Sequence, residues 1–348
     1  MSQDFFEAAG TRSLADLIQQ YPVIRDFFVN YNLRNISFDQ TLEEALDHID
    51  EEELLEFGLD RPGLIRQFVR FLETISAVQK TAAVSEITIL GGHNKNGDAE
   101  NITITISAGE VVSIVGPTGS GKSRLLADIE CLAQRDTPTG RQILVNGHEM
   151  NDEERFNMDG RLVAQLSQNM NFVMDLSVGE FLEMHAKSRL CADPAAIARD
   201  CFAAANELAG EKFTLATKVT QLSGGQSRAL MIADTACMSA SPIVLIDEIE
   251  NAGVDRREAV RMLAKNEKIV LISTHDPLLA LMAGKRLVIR NGGIHTILET
   301  SPAEQESLVQ IEKLDTTLIE LRRRLRGGER ITPDMVSIPV ESSHVGTI

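Results

Sequence analysis

Residues 110–129 constrain this chain more than any other stretch. An apolar run, Glu110-Val111-Val112-Ser113-Ile114-Val115, leads into Gly116-Pro117-Thr118-Gly119-Ser120-Gly121-Lys122-Ser123 and then Arg124-Leu125-Leu126-Ala127-Asp128-Ile129. The first run reads as a buried parallel strand and the last as the opening of a helix. A glycine-rich turn between them lets backbone N–H groups converge on phosphate oxygens at the positive end of that helix. Lys122 is then placed to reach β- and γ-phosphates, and the Ser123 hydroxyl to complete a Mg²⁺ shell. The expected fold class is therefore α/β, a P-loop NTPase with a parallel sheet.

Four further segments carry polar residues at the ends of apolar runs. Ile243-Val244-Leu245-Ile246 ends in Asp247-Glu248, and Lys268-Ile269-Val270-Leu271-Ile272 ends in Ser273-Thr274-His275-Asp276. Gln168 stands in Leu166-Ser167-Gln168-Asn169, and Leu222-Ser223-Gly224-Gly225-Gln226 precedes a helical pattern. With these motifs in this order, the chain from about Ser85 to about Leu298 resembles the ATP-binding cassette (ABC) ATPase family. The resemblance implies a RecA-like core with an antiparallel edge sheet from residues 86–106 and a helical subdomain at about 177–222. It also implies ATP and Mg²⁺ as cofactors. In that likeness Ser123, Gln168 and Asp247 attend the metal, and Glu248 polarises the attacking water as general base. Gln168 senses the γ-phosphate and His275 contacts it. Ser223, Gly224, Gly225 and Gln226 cap the nucleotide held by the Gly116–Ser123 loop of a second copy, so a head-to-tail homodimer, or a pair with a similar ABC chain, is expected.

The chain also departs from the family pattern. Ile249 stands where a proline normally follows the catalytic glutamate, and Asn251-Ala252-Gly253-Val254-Asp255 is one residue longer than the usual interface loop, with Asp255 as that loop's aspartate. No Tyr or Phe lies in Glu86-Ile87-Thr88-Ile89-Leu90-Gly91-Gly92-His93 to stack on adenine, which leaves His93 as the ring at hand. These features mark a divergent branch.

Composition limits what the chain does. Its net charge of −17 disfavours nucleic-acid binding, which needs Lys and Arg to replace counterions. Residues 1–60 hold 14 Asp and Glu against three Arg, a solvated acidic surface or a docking face for a basic partner. The apolar runs are strand-sized, so no span of a bilayer is expected. The N-terminus lacks the basic-then-apolar pattern of a secretory signal, and Cys131, Cys191, Cys201 and Cys237 lack metal-ligand spacing. A reduced, cytoplasmic setting follows, peripheral to an inner membrane if a permease partner exists.

Residues 1–78 read as a small all-α domain. Ser13–Asp16 and Thr41–Glu44 look like capping boxes, and Leu14–Gln20, Val23–Tyr31 and a longer run through Leu64, Phe68, Phe71 and Leu72 have helical spacing. Phe27, Phe28, Phe57 and Phe68 are expected in its core. The domain is similar to one met in bacterial iron–sulfur repair and redox proteins, but has Asn35-Ile36-Ser37 where those often carry paired cysteines. Partner recognition or regulation of the ATPase is the more economical role. Residues 79–85 read as a linker and 86–298 as the ATPase domain. In 299–328, Ser301-Pro302-Ala303-Glu304 starts a helix whose Ile311, Leu314, Leu318, Leu321 and Leu325 form a seam. That seam docks on the ATPase core or pairs with another protomer; Arg322, Arg323, Arg324 and Arg326 complement its last turn, and 329–348 reads as a tail. Two functions fit: ATP-driven closure acting on a soluble protein client or assembly partner through residues 1–78, or the ATP-binding subunit of a membrane transporter with a separate permease.

Overall fold

The computed structural model describes residues 10–21, 23–33, 36–49, 54, 57–79, 84–156, 162–167, 172–189, 191, 193–251 and 254–336. Among them, helices α1 (Leu14–Gln20), α2 (Ile24–Asn30), α3 (Leu42–Leu46) and α4 (Arg61–Gln79) share one apolar core. Thr41 and Glu44 close a full capping box at α3. At α1 the Ser13 hydroxyl accepts from the Asp16 amide and donates to the Asp16 carboxylate, so only half of the expected box is made. Phe28 and Phe68 stack with centroids 5.5 Å apart, and Phe27 meets Phe68 edge-on at 5.2 Å. Phe57 is the exception among the expected core aromatics. It is 41% exposed and touches Tyr31 from the rim, in a turn with Gly58 at φ 66°.

Val84 is buried in the core of the sheets that follow, and Ser85 donates to Asn146. Strands β1 (Glu86–Leu90), β2 (Thr103–Ser107) and β4 (Gln142–Val145) form an antiparallel three-stranded sheet in the order β2-β1-β4. A six-stranded sheet runs β5-β6-β7-β3-β8-β9, built from β3 (Val111–Val115), β5 (Val163–Leu166), β6 (Ile243–Asp247), β7 (Ile269–Ser273), β8 (Lys285–Arg290) and β9 (Gly293–Glu299). All its neighbours are parallel except the β8–β9 hairpin. The central strands are apolar without alternation because both faces are covered. Ile243 and Leu245 of β6 enter a core shared with Leu125, Leu126 and Ile129 of α5 (Lys122–Glu130). Val244 and Ile246 enter the other core, with α7 (Val178–Ser188), α8 (Pro194–Leu208), α9 (Gly224–Met238), α10 (Arg256–Ala264) and α11 (Pro277–Met282). The short α6 (Asp152–Phe156) precedes β5.

Helix α12 (Pro302–Arg326) starts with the expected box between Ser301 and Glu304. The reading that docks its seam on the ATPase core is met over the first half. Leu308 and Ile311 pack on the helical core, Arg256 bridges Asp276 to Asp315, and Arg286 holds Glu304, so the first half docks in cis. Leu314, Leu318 and Leu325 stay 40%, 49% and 58% exposed. Among the described residues no helix is long and apolar enough to cross a membrane. The four cysteines are free, with Cys201 buried in the helical core and the others half-buried.

Candidate functional site

Sheet register brings three of the sequence motifs to one edge. Asp247 of β6 pairs with Ser273 of β7, and Ser273 pairs with Ile114 of β3, one residue before that strand ends at Val115 and gives way to the glycine-rich loop. Two backbone bonds stitch the motifs past the ends of the ladders, from the Glu248 amide to Ser273 (3.0 Å) and from the Thr274 amide to Ile114 (3.1 Å). The carboxyl ends of adjacent parallel strands are where open α/β sheets bind ligands.

The loop from Gly116 to Gly121 turns into α5 at Lys122. Gly121 has φ 110°, and a Cβ there would lie 2.8 Å from the Cα of Gly292, so the position admits no side chain. Gly292, in the β8–β9 turn, donates its amide to Ser120 at 2.6 Å and closes the back of the loop. Gly119, with φ 76°, faces open space and leaves the front clear. Lys122 is only 7% exposed, with its ammonium 3.0 Å from the Gly116 carbonyl. The Ser120 hydroxyl is buried without a partner inside this cradle. An orphan donor, a buried ammonium and the first amides of α5 make a concave anion site.

Ser123 Oγ lies 3.4 Å from Asp247 Oδ2 across the strand edge. A hydroxyl beside a carboxylate suits a hard cation that keeps several waters, so these two residues fit Mg²⁺. Glu248 follows with φ 49°, a left-handed conformation costly for a residue with a Cβ and one that clusters at functional sites. His275, the next loop's tip, exposes 60% of its side chain and sets Nδ1 2.8 Å from Glu250 Oε1. Gln168 lies outside the described residues; Leu166 and Ser167 before it stand at the end of β5, beside β6.

Ser223 caps α9, whose first turn holds Gly224, Gly225 and Gln226. Its hydroxyl accepts from the Gln226 amide while the Gln226 side chain takes the Ser223 amide, a reciprocal box. The string is thus the entry of a helix. Ser223 and Gly224 are nevertheless exposed, and a Cβ on Gly224 would meet nothing within 4 Å, so another molecule can approach the backbone there. Asp255 has a comparable local task, accepting from the Arg257 and Glu258 amides as the cap of α10.

Three participants escaped the sequence reading. Lys95, in the turn after β1, places its ammonium 2.9 Å from the Gly119 carbonyl at the mouth of the loop. Glu250 grips His275. Arg141 is wholly buried, bonding Glu100 twice (2.6 and 2.9 Å), Asp128 of α5 (2.9 Å) and the Gly292 carbonyl (2.7 Å). Burial would raise the Glu100 carboxyl, but Arg141 and the Gly92 and Ile294 amides outweigh it and hold it below the usual carboxylate range. This triad fastens the Gly292 turn to α5 and so braces the phosphate loop. His93, the ring at hand for adenine, instead bonds the Thr139 carbonyl through Nδ1 and lies against Gly140. Among the described residues no group of three or more His, Cys, Asp and Glu gathers into a metal cluster.

A parallel sheet whose strand ends carry a phosphate loop, a hydroxyl–carboxylate cation pair and a following glutamate defines a P-loop nucleotide triphosphatase. Comparison with known proteins narrows the class. The ABC transporter family model matches residues 99–251. An uncharacterized ABC transporter ATP-binding protein of Methanocaldococcus jannaschii is 51% identical over 259 residues, 74% of this chain and 99% of that protein. The chain belongs to the ABC transporter ATP-binding protein family and is an ABC-type ATPase. The lipoprotein-releasing system ATP-binding protein LolD of Psychrobacter arcticus is 28% identical over 55% of this chain and 86% of its own length. The macrolide export ATP-binding/permease protein MacB of Brucella abortus is 33% identical over 57% of this chain, which spans only 32% of MacB. In fold, the chain is similar to a solved dimeric bacterial ABC transporter cassette, with TM-score 0.50 and 24% identity over 62% of this chain and 99% of that one.

Proposed function

We propose that the chain hydrolyses ATP at two composite sites of a head-to-tail dimer and couples closure of that dimer to work on a partner protein met by its N-terminal helical domain. The observation that carries this reading is the convergence of the loop at Lys122, the Ser123–Asp247 pair, Glu248 and His275 on one sheet edge, with Ser223 and Gly224 exposed on another helix. Lys122 and the first α5 amides bind the phosphates. Ser123, Asp247 and Gln168 would hold Mg²⁺, which would supply positive charge against the developing phosphate charge. Glu248 takes a proton from the attacking water, and His275 orients toward the γ-phosphate. Ser223, Gly224, Gly225 and Gln226 close the nucleotide held by the other copy, where the N-terminal end of the fifteen-residue α9 adds positive potential.

The distinguishing test is light scattering of Glu248→Gln with ATP and Mg²⁺. Removing the base while keeping the phosphate contacts should trap a dimer, and Ser223→Arg should abolish it while leaving ATP binding to the monomer intact. Parental turnover in Ser223→Arg would refute composite sites. A second reading, the ATP-binding subunit of a transporter with a separate permease chain, is favoured by the likeness to the lipoprotein-releasing ATP-binding protein LolD and the macrolide export protein MacB. Affinity capture with Glu248→Gln separates the two. An integral membrane permease supports transport; a soluble enzyme or assembly factor, lost on deleting residues 1–78, supports the first.

A further inference from the structure

We infer that Glu250 is a positioning residue for ATP hydrolysis, a carboxylate that fixes the ring of His275 so that Nε2 faces the nucleotide. The inference rests on the proposed role of His275 and adds to it the group that orients it.

Glu250 stands on the single 3₁₀ turn Ile249–Asn251, directly after the left-handed Glu248. Ile249 is 2% exposed and roots the turn in the helical core, so the turn cannot drift. The Glu250 side chain is itself only 4% exposed. Its Oε1 meets three donors: the Thr274 hydroxyl at 3.0 Å, the His275 amide at 2.9 Å and His275 Nδ1 at 2.8 Å. Its Oε2 is buried with no hydrogen-bond partner. Arg228 of α9, the helix that Ser223 opens, is the cation in electrostatic reach.

Burying a carboxylate and leaving one oxygen unmatched is costly, and a simple loop staple does not require it. A serine or asparagine would hold the Thr274–His275 backbone without a charge. What the carboxylate adds is an acceptor at Nδ1. An oxygen without a hydrogen faces that nitrogen, so the proton of the pair sits on Nδ1, and Nε2 is the nitrogen turned outward. The ring is largely exposed, and without this grip its two torsions would be set by solvent. Glu250 is therefore to His275 what an outer carboxylate is to a metal-bound histidine.

The test is kinetic and spectroscopic, on the full chain. Glu250→Leu, close in volume and without an acceptor, should lower kcat about 10–100-fold, the scale of losing a histidine's orienting partner. The KM for ATP should stay within about threefold, since phosphate binding lies with Lys122. In a His275→Ala background the same substitution should have no further effect, because its effect passes through the ring. Glu250→Gln keeps an oxygen at the Oε1 position and should restore most of the rate. Equal losses in both backgrounds, or an unchanged kcat in Glu250→Leu, would overturn the proposal. Should the leucine variant not fold, ¹⁵N spectra of selectively labelled histidine decide it. The resonance that disappears in His275→Ala must show Nδ1 protonated in the parent, and an Nε2–H tautomer there would overturn the assignment. If His275→Ala itself turns over ATP at the parental rate, the role of the histidine fails and this inference with it, whatever the tautomer.

Discussion

Arg141→Met tests whether the buried triad braces the phosphate loop. Methionine fills most of the volume but removes all four guanidinium bonds, leaving Glu100 and Asp128 with side chains only 3% and 1% exposed. Breaking a buried pair by deleting one partner costs about 3–5 kcal/mol. The Gly92 amide on Glu100 (3.0 Å) and the Thr139 hydroxyl on Asp128 (2.8 Å) remain, which places the loss at the low end. About 3 kcal/mol corresponds to a roughly 100-fold drop in the folding equilibrium. The chain has no tryptophan, so a urea titration followed by far-UV circular dichroism is the suitable assay. The sign of the pH dependence is a second check. The folded-state value of Glu100 lies below its ordinary 4.5, so its contribution is present above pH 4.5 and is lost as pH falls through the depressed value. The variant lacks that contribution, so the gap between parent and variant should narrow below pH 4.5. A loss under about 1 kcal/mol, or a gap independent of pH, would refute the reasoning.

Gly121→Ala forces a Cβ to within 2.8 Å of the Gly292 Cα at a φ of 110°, and about 1–3 kcal/mol of strain should weaken ATP binding about 5- to 150-fold by titration calorimetry. Parental affinity would show that the loop can shift. The Glu320 carboxyl is held at about 2 by hydrogen bonds from Arg323 and Arg324, below its ordinary 4.5. That contribution is present above pH 4.5 and lost as pH falls through about 2, so the protection of amides at the end of α12, taken relative to intrinsic exchange at the same pH, should fall across this window, and Glu320→Gln should show the lower protection already at neutral pH.

What was legible in the sequence was whatever is local. The loop at Gly116–Ser123 carries its strand, turn and helix in adjacent residues, and the helix starts at Thr41 and Ser301 are three-residue spacings that fold as read. Register delivered Asp247 and His275 to the loop because neighbouring parallel strands of equal length end together. The triad was illegible for the opposite reason. Glu100, Asp128 and Arg141 are far apart in the chain, and a charge in a polar stretch reads as surface until its partners are known. Glu250 was hidden by its neighbours, two places beyond a glutamate that already accounted for the chemistry. His93 was the available ring for adenine, yet the Thr139 carbonyl, just before the neighbouring strand β4, claims its nitrogen. The seam of α12 has the right spacing, but spacing does not say how far along the helix the core extends.

The position of β3 has a consequence for how this protein comes into being. Both of its sheet neighbours, β7 and β8, are translated long after it, and the Gly292 turn that closes the back of the loop comes later still. A ribosome that has released the glycine-rich loop has therefore made a nucleotide site with no walls. Chains fold from the N-terminus as they emerge, but pairings between distant segments must wait for the later partner. A nascent or truncated chain ending at residue 251 would carry the Gly116–Ser123 loop, Asp247 and Glu248, and still lack His275 and the strands β7 and β8 that seat the loop. Nucleotide capture is thereby reserved for the finished chain.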